Sequence, residues 1–393
     1  MRLLIVAGGG GHFAAALAVI QKLPKDWEYL VIGRKYTFEN DSTLSFEYQT
    51  ARRLGIPFQS ITTGRLQRKL TGRSFVSLLK IPVGLLQALR IMKSFRPEVI
   101  LSFGGYVALP ICYAAWFCHI PIVIHEQILG AGLTNKLVAK CAKKICVSWE
   151  QSAKFFPKEK VVLTGNPTRT GVIASETKQS FAAFQNRQGI VSSSSIPHNE
   201  GRKILYVTGG SGGAHAINIL VEESLDKLLE EFVIIHQTGD AQEFHDYDRL
   251  ATYREQFPDE KKKRYLIKKF FDPEEVSVLL READLVVSRS GINTVTELLY
   301  FRKPCLLIPL PYGQRNEQLT NANFLKELGL AHVADQKTLT SDVFLHIIKN
   351  MMHHRDRYTI SREVVQKYIK PNAAEAIVEV VADVYQKEKT AKA

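Results

Sequence analysis

Polar side chains gather in two short stretches of the chain's last third. "SRSGINTVTE" (288–297) puts Ser290 and Gly291 ahead of a helical run, with Glu297 seven residues after Ser290. "NEQLTN" (316–321) puts Gln318 and Asn321 just past an apolar run. A carboxylate that can accept from two hydroxyls, amides that can both donate and accept, and a helix start that favours anions suit a polar ligand better than a core.

Two glycine turns offer matching chemistry. "VAGGGGHF" (6–13) and "VTGGSGGAHA" (207–216) each lie between a strand-like and a helix-like run. Glycine lets the backbone approach a ligand, and the first helical N–H groups then face an anion. Neither turn is a P-loop, because no Gly-Lys-Ser/Thr follows. Gly9, Gly11 and Ala14 spell G-x-G-x-x-A, a weak dinucleotide pattern. The acid expected after the second strand is missing, and Arg34 and Lys35, which could take an NADP phosphate, stand there instead. Gly209, Ser211 and Gly213 spell G-x-S-x-G, but on the first strand of its half and without a marked acid or histidine, so a phosphate turn is the better reading than a nucleophile elbow. His12 fits either a helix-capping role or proton transfer beside an anion site. Asp246 and Asp248 form a D-x-D pair in a charged stretch, which reads as solvated surface rather than a metal site.

The elements that must hold these residues read as α/β. "RLLIVA", "EYLVIG", "EVILSFGG", "IPIVIHE", "KKICVSW" and "KVVLTG" are buried-strand runs separated by helical or loop segments. The pattern restarts at "KILYVTGG" and continues through "FVIIHQTG", "YLIKKFF", "ADLVVSRSG" and "PCLLIPLP". Two doubly wound, Rossmann-like halves follow, with ligands expected at the carboxyl ends of the strands. The run 107–124 has the length of a membrane span, but Pro110, His119 and Pro121 make it a helix leading into a strand.

Charge is one-sided. Of 393 residues, 1–165 hold 22 Lys+Arg and 9 Asp+Glu, a net +13, while 166–393 hold 30 of each. That points to an anionic partner for the N-terminal half: a membrane, a nucleic acid or a phosphorylated substrate. Five cysteines without a C-x-x-C pair read as reduced thiols of a cytoplasmic protein.

The assembled motifs resemble those of the MurG-type peptidoglycan glycosyltransferases, glycosyltransferase family 28. They are "GGGGH" (8–12), "SFGGYVALP" (102–110), "IHEQ" (124–127) with "AGLTNKLVAK" (131–140), "GNPTR" (165–169), "GGSGGAHAIN" (209–218), "HQTG" (236–239), "SRSGINTVTE" and "NEQLTNA" (316–322). The resemblance implies a GT-B fold of two Rossmann-like domains facing across a cleft. Residues 1–165 would form the acceptor- and membrane-facing domain, 166–203 a linker with an insertion, 204–370 the UDP-sugar domain, and 371–393 a C-terminal helix.

It further implies inverting transfer of N-acetylglucosamine from UDP-N-acetylglucosamine to lipid I, at the cytoplasmic face of the membrane, with no metal, cofactor or nucleic acid. Another GT-B lipid glycosyltransferase or a non-catalytic nucleotide-sugar binder would share most of these features. By the same resemblance Glu297 accepts from the ribose, and Ile292, Asn293, Thr294, Val295 and Thr296 line the helix start facing the nucleotide. Gln318, beside Glu317, holds the sugar, and Phe271 offers backbone groups to uracil. Ser211 and Arg169 neutralise the diphosphate. Gly9, Gly10 and Gly11 form the first substrate turn, with His12 and Glu126 on the acceptor side and His12 as the base. Ile128, where the family has Asn, and Gly212, where it has Gln, put donor-sugar selectivity in question. The stretch 65–96, with Phe75, Leu78, Leu79, Val83 and Leu86 among basic residues, would dock on anionic lipid together with Trp116.

Overall fold

The computed structural model describes residues 1–36, 44–62, 72–168, 202–210, 212–241, 243–312 and 316–392. They form two compact units, Met1–Arg169 with Lys370–Ala393, and Thr170–Ile369. The linker expected at 166–203 lies mostly outside the described residues.

The first unit holds β1 (Arg2–Val6), β2 (Glu28–Gly33), β3 (Phe58–Ser60), β4 (Val99–Ser102), β5 (Ile122–Glu126), β6 (Lys144–Val147) and β7 (Val161–Leu163). All pair in parallel, in the order β3-β2-β1-β4-β5-β6-β7. Alternation along β1 explains why the strand reads as wholly apolar. Leu4 and Val6 enter one core with the helices Gly72–Phe95 and Ala108–Phe117, while Leu3 and Ile5 enter the other. That second face is covered by the helix Gly10–Ile20 and by Ile377, Val381 and Val384 of the helix Ala373–Lys392. Each large apolar side chain so buried contributes roughly 1.5–3 kcal/mol before conformational entropy is counted.

The second unit holds β8 (Lys203–Thr208), β9 (Phe232–Gln237), β10 (Tyr265–Lys268), β11 (Leu285–Ser288), β12 (Cys305–Leu307) and β13 (Ala331–Val333). They are also parallel, in the order β10-β9-β8-β11-β12-β13. Both sheets reverse direction beside their first strand, between β1 and β4 and between β8 and β11. The crevice outside the strand ends at such a point is where open α/β sheets take ligands. The run 107–124 forms a helix and then β5, as expected. Among the described residues no helix is long and apolar enough to cross a membrane.

Backbone contact sets the spacing at these points. Gly105 has φ +81°, and a Cβ there would lie 2.5 Å from Gly8 O. Gly55 has φ +66° but open space around it. Gly105→Ala should therefore destabilise the protein by ~2–4 kcal/mol, through clash plus strain, and Gly55→Ala by only ~1 kcal/mol, through strain alone. Thermal melts of the two variants check this; equal losses would mean that the close approach is relieved by backbone movement.

Candidate functional site

The first unit's site is built at the ends of β1, β4 and β5. The helix Gly10–Ile20 starts directly after β1, with Gly9 as its N-cap at φ 113° and no side-chain cap. His12 sits in the first turn. Its Nδ1 lies 2.9 Å from Gly8 O, and because a carbonyl only accepts, Nδ1 carries the proton and Nε2 the lone pair. Burial outweighs the Gly8 contact and lowers the imidazole pKa below 6.5, so the ring is neutral at physiological pH. The ring is thus bonded to the carbonyl four residues back through Nδ1, with the lone pair on Nε2.

Glu126, at the end of β5, is differently employed. Its carboxylate accepts from Ile128 N at 3.2 Å, Gly132 N at 2.8 Å and Asn135 Nδ2 at 3.1 Å. Burial raises its pKa against those bonds. It therefore staples the 128–132 turn to the helix Leu133–Val138. Asn135 also donates to His125 O, and Trp149 Nε1 to Gln127 O. The residues of "IHEQ" and "AGLTNK" thus work largely as a scaffold around the strand end. Arg34, the candidate phosphate acceptor, is instead paired through Nε with Glu47 at 2.9 Å.

In the second unit, the turn after β8 is wedged against the end of β9. Cβ atoms on Gly213 and Gly239 would lie 2.3 Å from Thr238 O and 2.4 Å from Gly213 Cα. Gln237 ties this turn to the next loop, donating from Nε2 to Gly210 O (3.2 Å) and accepting from Phe271 N (3.2 Å). The Phe271 N–H is therefore engaged within the protein. Ser211 and Arg169 lie outside the described residues.

The helix Ile292–Phe301 opens at Gly291. Ser290 is fully buried and gives its hydroxyl proton to Gln318 O at 2.7 Å, while Asn321 Nδ2 donates to Ser290 O at 3.0 Å. These two polar residues, read as ligand groups, instead pin two helix starts together. Val295 is buried, and Thr296 Oγ1 bonds back to Ile292 O at 2.8 Å, so neither side chain faces a ligand. What this helix offers is its first-turn N–H groups, flanked by the half-exposed Asn293 and Thr294, with Ile292 largely buried and Glu297 at 5% exposure further along. Gln318 is half-buried, and its Oε1 accepts from Leu310 N at 3.0 Å.

Asp246 corrects the reading of a solvated surface. It is buried and accepts from Asn218 Nδ2 (2.7 Å), His215 Nδ1 (2.8 Å) and Arg249 (2.7 Å). The chain of bonds continues from Asn218 Oδ1 to His236 Nε2 (3.0 Å) and from His236 Nδ1 to the Tyr265 hydroxyl (2.9 Å). Burial holds the His236 pKa down to about 3. Asp248 is exposed, and the described residues hold no group of three metal-ligating side chains. Sequence reasoning assigned no role to Glu47, Gln237 or Asn218; "HQTG" and "AHAIN" were the available signals for the last two.

The family model of the glycosyltransferase family 28 N-terminal domain matches residues 3–147, and that of the C-terminal domain matches 204–381. A Bacillus cytotoxicus protein named UDP-N-acetylglucosamine--N-acetylmuramyl-(pentapeptide) pyrophosphoryl-undecaprenol N-acetylglucosamine transferase is 32% identical over 394 aligned positions, covering 98% of this chain and 100% of its own. A Clostridium perfringens protein of the same name is 32% identical, covering 92% of this chain and 93% of its own. Among solved structures, Acinetobacter baumannii MurG aligns with a TM-score of 0.66 at 25% identity, over 98% of this chain and 100% of that one. The Neisseria meningitidis UDP-GlcNAc 2-epimerase bound to UDP-GlcNAc aligns at 0.61 with 14% identity, over 98% and 100%, a likeness of fold alone.

Asp246 makes stability depend on pH. Burial alone would raise its pKa, but bonds from Asn218, His215 and Arg249 outweigh it and hold the value below 3.8. A depressed folded-state pKa gives stability that is complete above the unfolded value and lost as pH falls through the folded one. Asp246→Asn should be less stable at pH 7 and show a flatter stability profile below about pH 4, where an unfolded aspartate titrates. Urea unfolding of both proteins from about pH 2.5 to about pH 7 checks this, and parallel profiles would remove Asp246 from the acid response.

Proposed function

The chain belongs to glycosyltransferase family 28, and from that premise we propose that it moves N-acetylglucosamine from UDP-N-acetylglucosamine to lipid I, undecaprenyl-pyrophosphoryl-N-acetylmuramoyl-pentapeptide, to form lipid II. The observation that carries this is the identity of 32% with transferases of that name along nearly the whole chain, across both family domains. The N-terminal unit meets the acceptor and the membrane, and the C-terminal unit meets the donor.

The acceptor hydroxyl attacks the anomeric carbon while the bond from that carbon to the diphosphate oxygen breaks, and UDP departs with the electron pair. The hydroxyl proton goes to Nε2 of His12, whose tautomer and lowered pKa suit a base near neutral pH. Glu126 is already bonded three ways within the protein, which favours His12 over it. Gly9, Gly10 and Gly11 form the turn that meets the acceptor side, the Gly9 N–H being held by Glu47 Oε1 at 3.1 Å. On the donor side, the first-turn N–H groups of the helix that starts at Ile292 suit the developing charge of the diphosphate. Glu297 takes the ribose hydroxyls, Gln318 the sugar and the Phe271 loop the uracil.

Membrane attachment is read from the first unit's surface. Val83, Leu86 and Leu89 are exposed on the helix Gly72–Phe95, next to exposed Arg90 and Lys93. Trp116 (51% exposed) and Phe117 (64%) stand on the neighbouring helix, rings 5.2 Å apart. Apolar and basic groups on adjoining helices suit the anionic inner leaflet. Arg68 and Lys69 lie outside the described residues.

Two measurements test the reading. UDP release with lipid I should fall by about 100-fold in kcat/KM for UDP-N-acetylglucosamine in Glu297→Ala, with the fold intact; normal kinetics would remove Glu297 from the donor site. Binding to liposomes should rise with anionic lipid, fall with salt and weaken when Arg68, Lys69 and Arg73 are neutralised together. Indifference to both lipid charge and salt would assign the N-terminal charge to another partner.

A further inference from the structure

The transfer as described leaves Glu47 without a part, although it is a buried acid paired with a cation beside His12. Ser45 begins the helix Phe46–Arg53, accepting from Tyr48 N at 3.2 Å and donating its hydroxyl to Arg34 O at 2.6 Å. That fixes both the stretch after β2 and the first turn that carries Glu47. Glu47 is 1% exposed. Its Oε1 accepts from Gly9 N at 3.1 Å and from Arg34 Nε at 2.9 Å, and the equally buried Oε2 finds no partner among the described residues. The Arg34 guanidinium lies over the Tyr106 ring, 5.7 Å from its centroid. A Cβ on Gly9 would lie 3.3 Å from an outer nitrogen of Arg34 and 3.9 Å from His12 Nδ1. Carboxylate, guanidinium and imidazole thus meet around one glycine.

Stability is a poor account of this arrangement. Taking an ion pair out of water is costly, and apolar residues of equal volume commonly serve a core as well or better. The pair's position is more informative, because Glu47 reaches across 38 residues of sequence to the N–H of Gly9, in the turn between β1 and His12.

We propose that the Glu47–Arg34 pair is the positioning device for His12, holding the Gly9 turn from which His12 donates to Gly8 and setting the charge balance around the imidazole. This rests on the reading of His12 as the base. Glu47 favours the charged ring and Arg34 disfavours it, against a burial effect larger than either. Among the described residues, further titratable groups at this end of the sheet are Tyr106 after β4 and His125 and Glu126 on β5. His125 is held neutral by burial, with a pKa of about 4, and Glu126 is bonded as described. Neither of the latter two shares a bond with Gly9, whereas Glu47 bonds both Gly9 N and Arg34 and so links the turn to the charge.

The test uses the full-length protein and the variants Glu47→Gln, Arg34→Gln and Arg34→Lys. The His12 imidazole signal, identified by its loss in His12→Gln, is titrated by NMR, and kcat/KM is followed against pH. The His12 pKa should fall in Glu47→Gln and rise in Arg34→Gln, each by on the order of one unit, and stay near its parent value in Arg34→Lys. In Glu47→Gln, kcat should drop about tenfold or more while KM for UDP-N-acetylglucosamine changes by less than about twofold. Shifts in the same direction, no shifts, or variants that differ only in melting temperature would overturn the proposal. Should Glu47→Gln fail to fold, the opposed behaviour of Arg34→Gln and Arg34→Lys still decides it. If the His12 titration moves as stated but the pH–rate limb does not follow, the assignment of His12 as base falls and the positioning pair stands.

Discussion

Main chain pressed against main chain at the two sheet-reversal points is the constraint on which the rest of the structure depends. Gly105 lies on Gly8, and Gly8 N reaches Gly104 O at 3.4 Å. Gly213 and Gly239 meet in the same way in the second unit. At these contacts no Cβ fits, and only glycine takes the positive φ at so little strain. The outcome is that a helix start is brought hard against the strand ends. A dipole and a set of N–H groups then stand at the crevice where open α/β sheets commonly take ligands. The two halves solve this problem alike, although the residues that finish each site differ.

Around those contacts, buried polar groups hold loops more than they await ligands. Glu126, Gln237, Asp246, Ser290 and Asn321 all bond backbone or side chains that would otherwise be loose at strand ends. An unmade bond at any of them would leave a buried donor or acceptor unsatisfied, at ~1–3 kcal/mol each. This explains how loops that make few apolar contacts can keep catalytic geometry.

The strand runs were legible because parallel strands buried on both faces read as unbroken apolar sequence, as in β9, whose six residues are all buried. The edge strands β3 and β13 were not named from sequence. Each has three residues and is only partly buried, so neither carries that signal. Glycine turns and helix starts were legible for the same local reason, since strand, glycine and helix adjoin in sequence. Partnerships were not. Glu47 meets Gly9 from 38 residues away, and Asp246 meets His215 from 31, across intervening elements. Asp246 misled because its neighbours in sequence are charged while its neighbours in space are donors. Ser290 and Asn321 misled because a polar residue beside a helix start looks the same whether it serves a ligand or another helix.

The helix Ala373–Lys392 belongs to the first unit, although the entire second unit precedes it in the chain. During synthesis the first sheet therefore emerges with one face only partly covered, by the helix Gly10–Ile20. The contribution of Ile377, Val381 and Val384 to that core waits until more than 370 residues have been made. Translation runs at roughly 5–20 residues per second, so that apolar face stays incompletely covered for tens of seconds in each nascent chain. The second unit, by contrast, is drawn from one continuous segment and can close as soon as its own strands have left the ribosome. The order of folding is thereby the reverse of the order of synthesis, and a nascent chain stalled before residue 373 presents a sticky, half-covered sheet of the kind that chaperones bind.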